Sequence, residues 1–303
     1  WLALDPFGGS ASTLGATIAT ASAGPLAHAF GTPRDNVLGL EAVTGDGEVV
    51  RTGGRVVKNV AGFDLTRLFT GSWGTLAVIT EATVRLRALP EVEESWALIV
   101  DEKQEELEAL FTRLRFAPLE PLALELVSPS LAAHLGVDGH GRSVLLIRLG
   151  GNEGSVRSQR EFLRTFSDPA GAPRGLWRRL RECEPERAAV ARFSAPPSRM
   201  AQTWTVALAA VRDSAQAFVH ASIGRGIARC VVPTTESGAA ERLIDAATRF
   251  DGTVISERLP ADLWPRTRGE RTTGESGTER LARGIRSRFD PMSVLNPGIL
   301  GER

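Results

Sequence analysis

A run of small residues near the start of the chain most limits how the chain can fold. From Ser10 to Ala23, within the stretch DPFGGSASTLGATIATASAG, only Leu14 and Ile18 carry large side chains, and every other position is Gly, Ala, Ser or Thr. Such a run is either a flexible linker or a backbone left bare so that another group can approach it closely. Because Leu14 and Ile18 are four residues apart, the run can also pack as a helix through its small residues.

Composition excludes several classes of protein. The 303 residues, 42% of them apolar, predict a globular chain of about two domains. The 36 basic and 36 acidic residues balance, so nothing indicates a nucleic acid or an anionic membrane as partner. No apolar run reaches the length of a membrane-spanning helix. With only Cys183 and Cys230 present, a disulfide framework is not expected, and we predict a cytoplasmic location.

Familiar catalytic and metal-binding motifs are missing from the sequence. Gly45-Asp46-Gly47 begins a dinucleotide-binding pattern, but Val50 stands where the next glycine is required, so a hairpin turn explains the glycines better. Neither lysine lies in a phosphate-binding P-loop, and no GxSxG nucleophile motif occurs. The four histidines lack the spacing of metal ligands, so we predict no metal site.

The pattern of apolar residues predicts an α+β protein. Residues 37–53 read as a β-hairpin around Asp46-Gly47, and Asp64 is a candidate N-cap for the short helix that follows. After Pro90 the sequence pattern changes and predicts strands that alternate with amphipathic helices, such as 102–116. This alternation favours a sheet with helices packed on one face.

A second glycine-containing stretch, TGSWGTLAVIT (70–80), places two glycines around a turn before a strand, and an ordinary helix-to-strand loop would look the same. Together the two stretches, in this order, resemble the second half of the FAD-binding domain of the vanillyl-alcohol oxidase type, also called the PCMH type. The segment GGRVVKNVAGFDLTRLFTGSWGTLAVIT is most similar to the FAD-binding subunit of glycolate oxidase. The tail FDPMSVLNPGIL resembles the family's C-terminal segment.

The resemblance implies a division of the chain into three parts. Residues 1–90 are expected to form the second subdomain of a PCMH-type FAD-binding domain, and residues 91–283 an antiparallel-sheet cap that holds the substrate. Residues 284–303 are expected to return to the FAD domain. The family's first flavin subdomain would lie before Trp1, so we expect an N-terminally truncated flavin site and poor FAD binding by residues 1–303 alone.

The resemblance also assigns site residues, mostly through their main chain. Those expected to line the isoalloxazine and the pyrophosphate are Pro6, Thr13, Leu14, Gly15, Ala16, Ile18, Ala19 and Gly24. Gly74, Val78 and Ile79 would pack along the adenosine half, and Asn296 would approach the flavin from the tail.

Several positions depart from the family's pattern or allow two interpretations. Ala16 and Ala77 stand where the family usually has glycine, and a methyl group is tolerated there only if φ is negative. Trp73 stands where many relatives have an acidic residue. Lys58 and Asn59 lie either near the flavin or in a solvated loop.

The function implied by the resemblance is that of an FAD-dependent oxidoreductase, or a subunit of one. Its substrate would be a small 2-hydroxy acid such as glycolate, oxidised by hydride transfer to the flavin. The alternative is a non-catalytic FAD-binding accessory subunit of a glycolate oxidase complex. Other subunits of the oxidase are the expected partners, and they could hold the chain at a membrane periphery. No catalytic base is assigned, because no His or carboxylate lies in a matched catalytic motif.

Overall fold

A computed structural model describes residues 1–9, 12–55, 62–166, 169–263, 277–297 and 299. The chain divides into two compact units, the first formed by residues 1–88 with 270–303 and the second by residues 89–269. These limits differ from the predicted division at 90/91 and 283/284 mainly at the last helix, which groups as a whole with the first unit. The identity of the units as cofactor and substrate domains stays a prediction.

The first unit contains a small antiparallel sheet with strand order β2–β1–β3. Its strands are β1 (Val37–Thr44), β2 (Val49–Gly53) and β3 (Ala77–Val84). Its first four helices are α1 (Leu14–Thr20), α2 (Ala27–Phe30), α3 (Pro33–Asn36) and α4 (Leu65–Phe69).

Local sequence signals explain two features of this unit. Asp46 and Gly47 form the predicted hairpin turn, with Gly47 at φ +85° and the Gly47 N–H donating to the Thr44 carbonyl at 3.0 Å. Asp64 caps α4, because its side chain accepts a 3.0 Å hydrogen bond from the Arg67 N–H. Both predictions are confirmed, since each depends only on residues within one turn of the chain.

Within the run of small residues, residues 14–20 are ordered and belong to the core of the first unit. Ile18 of α1 is fully buried and packs in one cluster with Leu40, Phe69 and Leu76. The linker interpretation is therefore wrong for α1, whose apolar side is covered by the sheet and by α4.

The second unit is built on one antiparallel sheet of eight strands, in the order β11–β8–β10–β9–β5–β6–β4–β7. The strands are β4 (Val92–Ile99), β5 (Ala123–Val127), β6 (Val144–Gly151), β7 (Ala170–Gly171), β8 (Ala188–Ser194), β9 (Phe218–Ser222), β10 (Ile227–Pro233) and β11 (Thr253–Arg258). The helices are α5 (Gln104–Arg115), α6 (Pro129–His134), α7 (Glu153–Leu163), α8 (Leu176–Glu182), α9 (Met200–Val211) and α10 (Ala239–Arg249).

The strand order shows that the second unit contains the same arrangement twice. The elements β4-α5-β5-β6-α7-β7 and β8-α9-β9-β10-α10-β11 each follow a β-α-β-β-α-β pattern. In each half the first strand lies between the third and the fourth, and the halves join where β5 pairs with β9. The duplication is therefore seen in the order in which the strands pair, and no repeat is evident in the sequence.

The two faces of the eight-stranded sheet differ in chemistry. One face is covered as predicted by four helices, which contribute the buried residues Leu107, Val156, Trp204 and Leu243 to a single core. The opposite face carries a row of ionisable side chains that is described with the site below. The sheet thus separates the main apolar core from a face where buried ionisable side chains lie among apolar ones such as Leu146 and Val231.

The last helix, α11 (Gly277–Phe289), leads into the C-terminal tail of the first unit. Phe289 packs edge-on against Phe69 with ring centroids 5.3 Å apart, and its carbonyl accepts a 2.8 Å hydrogen bond from the Gly45 N–H. Over the part of the chain that the structure describes, no helix combines the length and the apolar character that crossing a membrane requires.

Candidate functional site

The first turn of α1 presents an uncovered backbone. Thr13 caps the helix, since its hydroxyl accepts a 3.1 Å hydrogen bond from the Ala16 N–H. A Cβ added at Gly15 would meet only the Thr13 hydroxyl, at 3.9 Å, among the described atoms within 4 Å. Leu14 beside it is 41% exposed although it is a large apolar residue. The turn therefore offers bare main chain next to an apolar side chain.

This surface fits the chemistry of FAD. At Gly8 and Gly9, as at Gly15, the space beside the Cα is open in the described structure. The first turn of α1 carries no acidic side chain that would repel a diphosphate. Main-chain N–H groups in a first turn have no acceptor within their helix and can face an anion. The bare glycines and Leu14 could thus hold the phosphates and a planar ring, respectively.

Gly24, another predicted cofactor residue, is bare for a different reason. A Cβ at Gly24 would lie 1.8 Å from the carbonyl oxygen of Asp5. The carboxylate of Asp5 is fixed by the Leu26 N–H, which lies 3.1 and 3.2 Å from its two oxygens. Close packing within the chain therefore explains why position 24 is a glycine. Pro6, also a predicted cofactor residue, comes directly after Asp5 in the chain.

The structure brings α1 together with the 71–74 turn and the C-terminal tail. The Trp73 N–H donates to the Ala19 carbonyl at 2.8 Å, and the side-chain amide of Asn296 donates to the Trp73 carbonyl at 2.8 Å. A Cβ at Gly74 would lie 2.8 Å from the Asn296 amide nitrogen. Three of the predicted site residues, Ala19, Gly74 and Asn296, are therefore neighbours. Trp73, which joins them, was not among the predicted site residues.

The remaining predicted residues differ in what they can contact. Val78 and Ile79 point to opposite faces of β3: Val78 is 55% exposed, whereas Ile79 packs against the core of the first unit. Ile18 is fully buried, so only its main chain could approach a ligand. Side chains of Val78 and Ile79 cannot both lie along one face of the same ligand.

The departures from the family's pattern have different structural consequences. Ala16 lies in α1 and Ala77 in β3, and neither has a positive φ, so their methyl groups cause no backbone strain. Trp73, in contrast, has φ +57°. Lys58 and Asn59 lie outside the described residues.

A polar layer on the second unit's sheet escaped the sequence analysis. Arg229 of β10 is ion-paired with Glu184 and with Glu257 of β11, and all three side chains are largely buried. Burial by itself lowers the pKa of Arg229, but the charges of Glu257 and Glu184 outweigh burial and raise it. Arg192 also pairs with Glu257 and Arg258 with Glu184, so the two carboxylates share three guanidinium groups, an arrangement typical of a structural network.

His220 of β9 lies in the same layer, with Nδ1 3.4 Å from a carboxylate oxygen of Glu125 on β5. Burial, helped by the positive charge of Arg229, lowers the pKa of His220 to about 3. Burial therefore favours the neutral form of the imidazole in its contact with Glu125. The available signal for this layer in the sequence is that Glu125, His220 and Arg229 are lone ionisable residues within otherwise apolar stretches.

Within the described residues, no three His, Cys, Asp or Glu side chains are grouped closely enough to hold a metal ion.

Comparison with known proteins agrees with the geometry of the first unit. Residues 1–53 match the family model of an FAD binding domain. The glycolate oxidase subunit GlcD of Bacillus subtilis is 27% identical over 97% of this chain and 69% of its own length. The glycolate oxidase subunit GlcE of Escherichia coli is 36% identical over 58% of this chain and 45% of its own length.

Among solved structures, an alkyldihydroxyacetonephosphate synthase superimposes with a TM-score of 0.66 at 18% sequence identity. The match covers 98% of this chain but 59% of that one, so this chain spans little more than half of the solved protein. At this identity the likeness establishes the fold alone. The matched FAD binding domain and the similarity to GlcD along nearly the whole chain confirm the resemblance to the FAD-linked oxidoreductases of the vanillyl-alcohol oxidase, or PCMH, type, and support FAD as the cofactor.

Proposed function

We propose that this chain is the FAD-binding part of an oxidoreductase that acts on a small 2-hydroxy acid such as glycolate. The observation that carries the proposal is the extent of the similarity to GlcD, which covers 97% of this chain and so includes both compact units. A protein that shared only the cofactor site would be similar over the first unit alone. Bound FAD would accept a hydride from the α-carbon of the substrate.

Within this proposal the first unit binds the cofactor and the second, residues 91–283 in the predicted division, holds the substrate. The main chain at Gly15 would approach the diphosphate, and the exposed side chain of Leu14 would contact the flavin ring. Both are supported by the open space beside Gly15 and by the exposure of Leu14. No residue is proposed as the catalytic base.

Anaerobic flavin reduction tests the proposed activity. The full-length protein is loaded with FAD and mixed in turn with glycolate, D-lactate and D-2-hydroxyglutarate, and the absorbance of oxidised flavin is followed. We expect glycolate, or a close homologue, to bleach the flavin. If dithionite reduces the bound flavin but none of the three acids does, the catalytic proposal fails.

A non-catalytic accessory subunit is the second candidate. It is supported by the 36% identity to GlcE, a separately named subunit of a glycolate oxidase. In that case the chain would bind FAD without reduction by any 2-hydroxy acid, until it is co-expressed with the other subunits. Co-purification of a tagged chain with those subunits from the cytoplasmic or the membrane fraction would also test the proposed partners and location.

A further inference from the structure

We propose that Asn296 is a positioning residue that acts through Trp73: its amide holds the 71–74 turn in a left-handed conformation and thereby fixes α1. This inference rests on the proposed cofactor role of α1, and it assigns Asn296 no direct contact with the flavin. We call the Ala19–Trp73–Asn296 hydrogen-bonded arrangement the tail clasp.

The conformation of Trp73 requires an explanation. Trp73 has φ +57° and is followed by Gly74 at φ +65°, so two successive residues are left-handed. Glycine adopts such angles without a penalty, whereas a bulky side chain at positive φ is a true outlier. Residues in this region persist only where surrounding contacts hold them, and such outliers concentrate at ligand sites and switches.

The contacts that hold Trp73 come from both ends of the chain. Its N–H donates to the carbonyl of Ala19 at the end of α1, and its carbonyl accepts from the Asn296 amide, both at 2.8 Å. A parallel bond joins the Gly71 N–H to the Ile18 carbonyl at 3.0 Å. The 71–74 turn therefore links the C-terminal tail to α1, the helix whose first turn presents the uncovered backbone.

Asn296 is itself placed before it reaches Trp73. The buried carboxylate of Asp290 accepts hydrogen bonds from the Val294 and Leu295 N–H groups, both at 2.9 Å. Arg286 of α11 donates to the Leu295 carbonyl at 3.2 Å. The tail thus forms a fixed turn, which lowers the entropy lost when the Asn296 amide binds Trp73.

Gly74 supports the same interpretation. A Cβ there would lie 2.8 Å from the Asn296 amide nitrogen, and the described atoms include no other neighbour as close. The close approach of Asn296 therefore explains why position 74 is a glycine. This makes Gly74 part of the tail clasp rather than a surface for the adenosine half of the cofactor.

A double-mutant cycle between Asn296→Ala and Trp73→Gly tests the proposal. With Trp73 present, removal of the amide should weaken FAD binding by about threefold, the loss expected for one solvent-accessible hydrogen bond. In the Trp73→Gly background the same change should have little effect, because glycine adopts the left-handed conformation unaided. An equal loss in both backgrounds would mean that Asn296 touches the flavin directly, and would overturn the proposal.

Hydrogen exchange without flavin separates the clasp from the cofactor assignment. Asn296→Ala should accelerate exchange in peptides covering residues 70–76 and 13–21, and Met292→Ala, at a 75% exposed position of the same tail, should not. If Asn296→Ala leaves the affinity for FAD unchanged but exchange changes in this way, the clasp stands and the proposed cofactor role of α1 fails. If exchange in both peptides is unchanged, or if only the melting temperature falls, the clasp itself is wrong.

Discussion

Gly24 and Asp5 approach so closely that a Cβ on Gly24 would lie 1.8 Å from the Asp5 carbonyl oxygen and 2.8 Å from its carboxylate. The carboxylate is buried and is held by the Leu26 N–H. The contact joins the first and last residues of the stretch DPFGGSASTLGATIATASAG. One glycine of that stretch is thus required by the chain's own packing.

The first prediction is that Gly24→Ala destabilises the protein. The added methyl group cannot be accommodated without moving Asp5, so the free energy of unfolding should fall by about 3 kcal/mol. Urea denaturation followed by circular dichroism measures the loss. Gly9→Ala is the matched control, because a Cβ there meets no described atom within 4 Å, and it should change stability by less than about 0.5 kcal/mol. Equal stabilities for the two variants would contradict the Asp5 contact.

A bulky substitution at Gly15, unlike one at Gly24, should weaken FAD binding and leave stability unchanged. Gly15→Leu places a side chain in the open space beside α1, so it should leave the unfolding transition intact and weaken FAD binding at least about tenfold, equivalent to about 1.4 kcal/mol. Gly15→Ala, the smaller control, should stabilise α1 by up to about 1 kcal/mol and affect FAD less. Quenching of flavin fluorescence on titration gives the affinities. A Gly15→Leu variant with unchanged affinity would remove α1 from the cofactor site.

The buried ion network makes a prediction about Arg229. Arg229→Met leaves the carboxylates of Glu184 and Glu257 without their shared cation, and should lower the free energy of unfolding by about 3 kcal/mol. Replacing both glutamates by glutamine in the same variant should recover part of the loss, since the buried carboxylate charges are then removed and the partly exposed Arg192 and Arg258, which also pair with them, are reached by water. Chemical denaturation of the three proteins provides the comparison. No recovery in the triple variant would show that packing, rather than charge, sets the cost.

His220 predicts how stability depends on pH. Its pKa is lowered to about 3 in the folded chain, first by burial and then by Arg229, against about 6.5 when unfolded. The unfolded state binds the extra proton between these values, so the stability contribution is complete above about pH 6.5 and is lost as the pH falls towards about 3. The loss from this group is at most about 1.4 kcal/mol per pH unit.

The comparison that isolates this effect is His220→Gln against the unmodified chain, with unfolding measured at several pH values. The variant should show a shallower loss of stability on acidification, although Glu125, Arg229, Glu184 and Glu257 still face the same layer. Identical slopes would mean that His220 is not the buried neutral group described here.

Short-range chemistry determined the local features that were predicted from sequence. Asp46-Gly47 forms its turn and Asp64 caps its helix because the partners lie within a few residues of each other. The motifs of residues 1–90 and of the tail indicated the resemblance to a flavoprotein family and FAD as the cofactor. The central parts of the second unit were not assigned from sequence, because β8 is almost wholly buried and α9 is apolar on most sides. Neither has the polar–apolar alternation that reveals a half-buried element.

Only the tertiary structure decided which small residues have open space beside them and which are filled by the chain's own atoms. In sequence Gly15, Gly24 and Gly74 look alike, but Gly15 faces open space, Gly24 packs on Asp5 and Gly74 receives Asn296. The left-handed conformation of Trp73 has the same origin, since its partners Ala19 and Asn296 lie at opposite ends of the chain. A single sequence shows which residues are small or polar. Which atoms fill the space beside them depends on contacts between distant segments, and those exist only after folding.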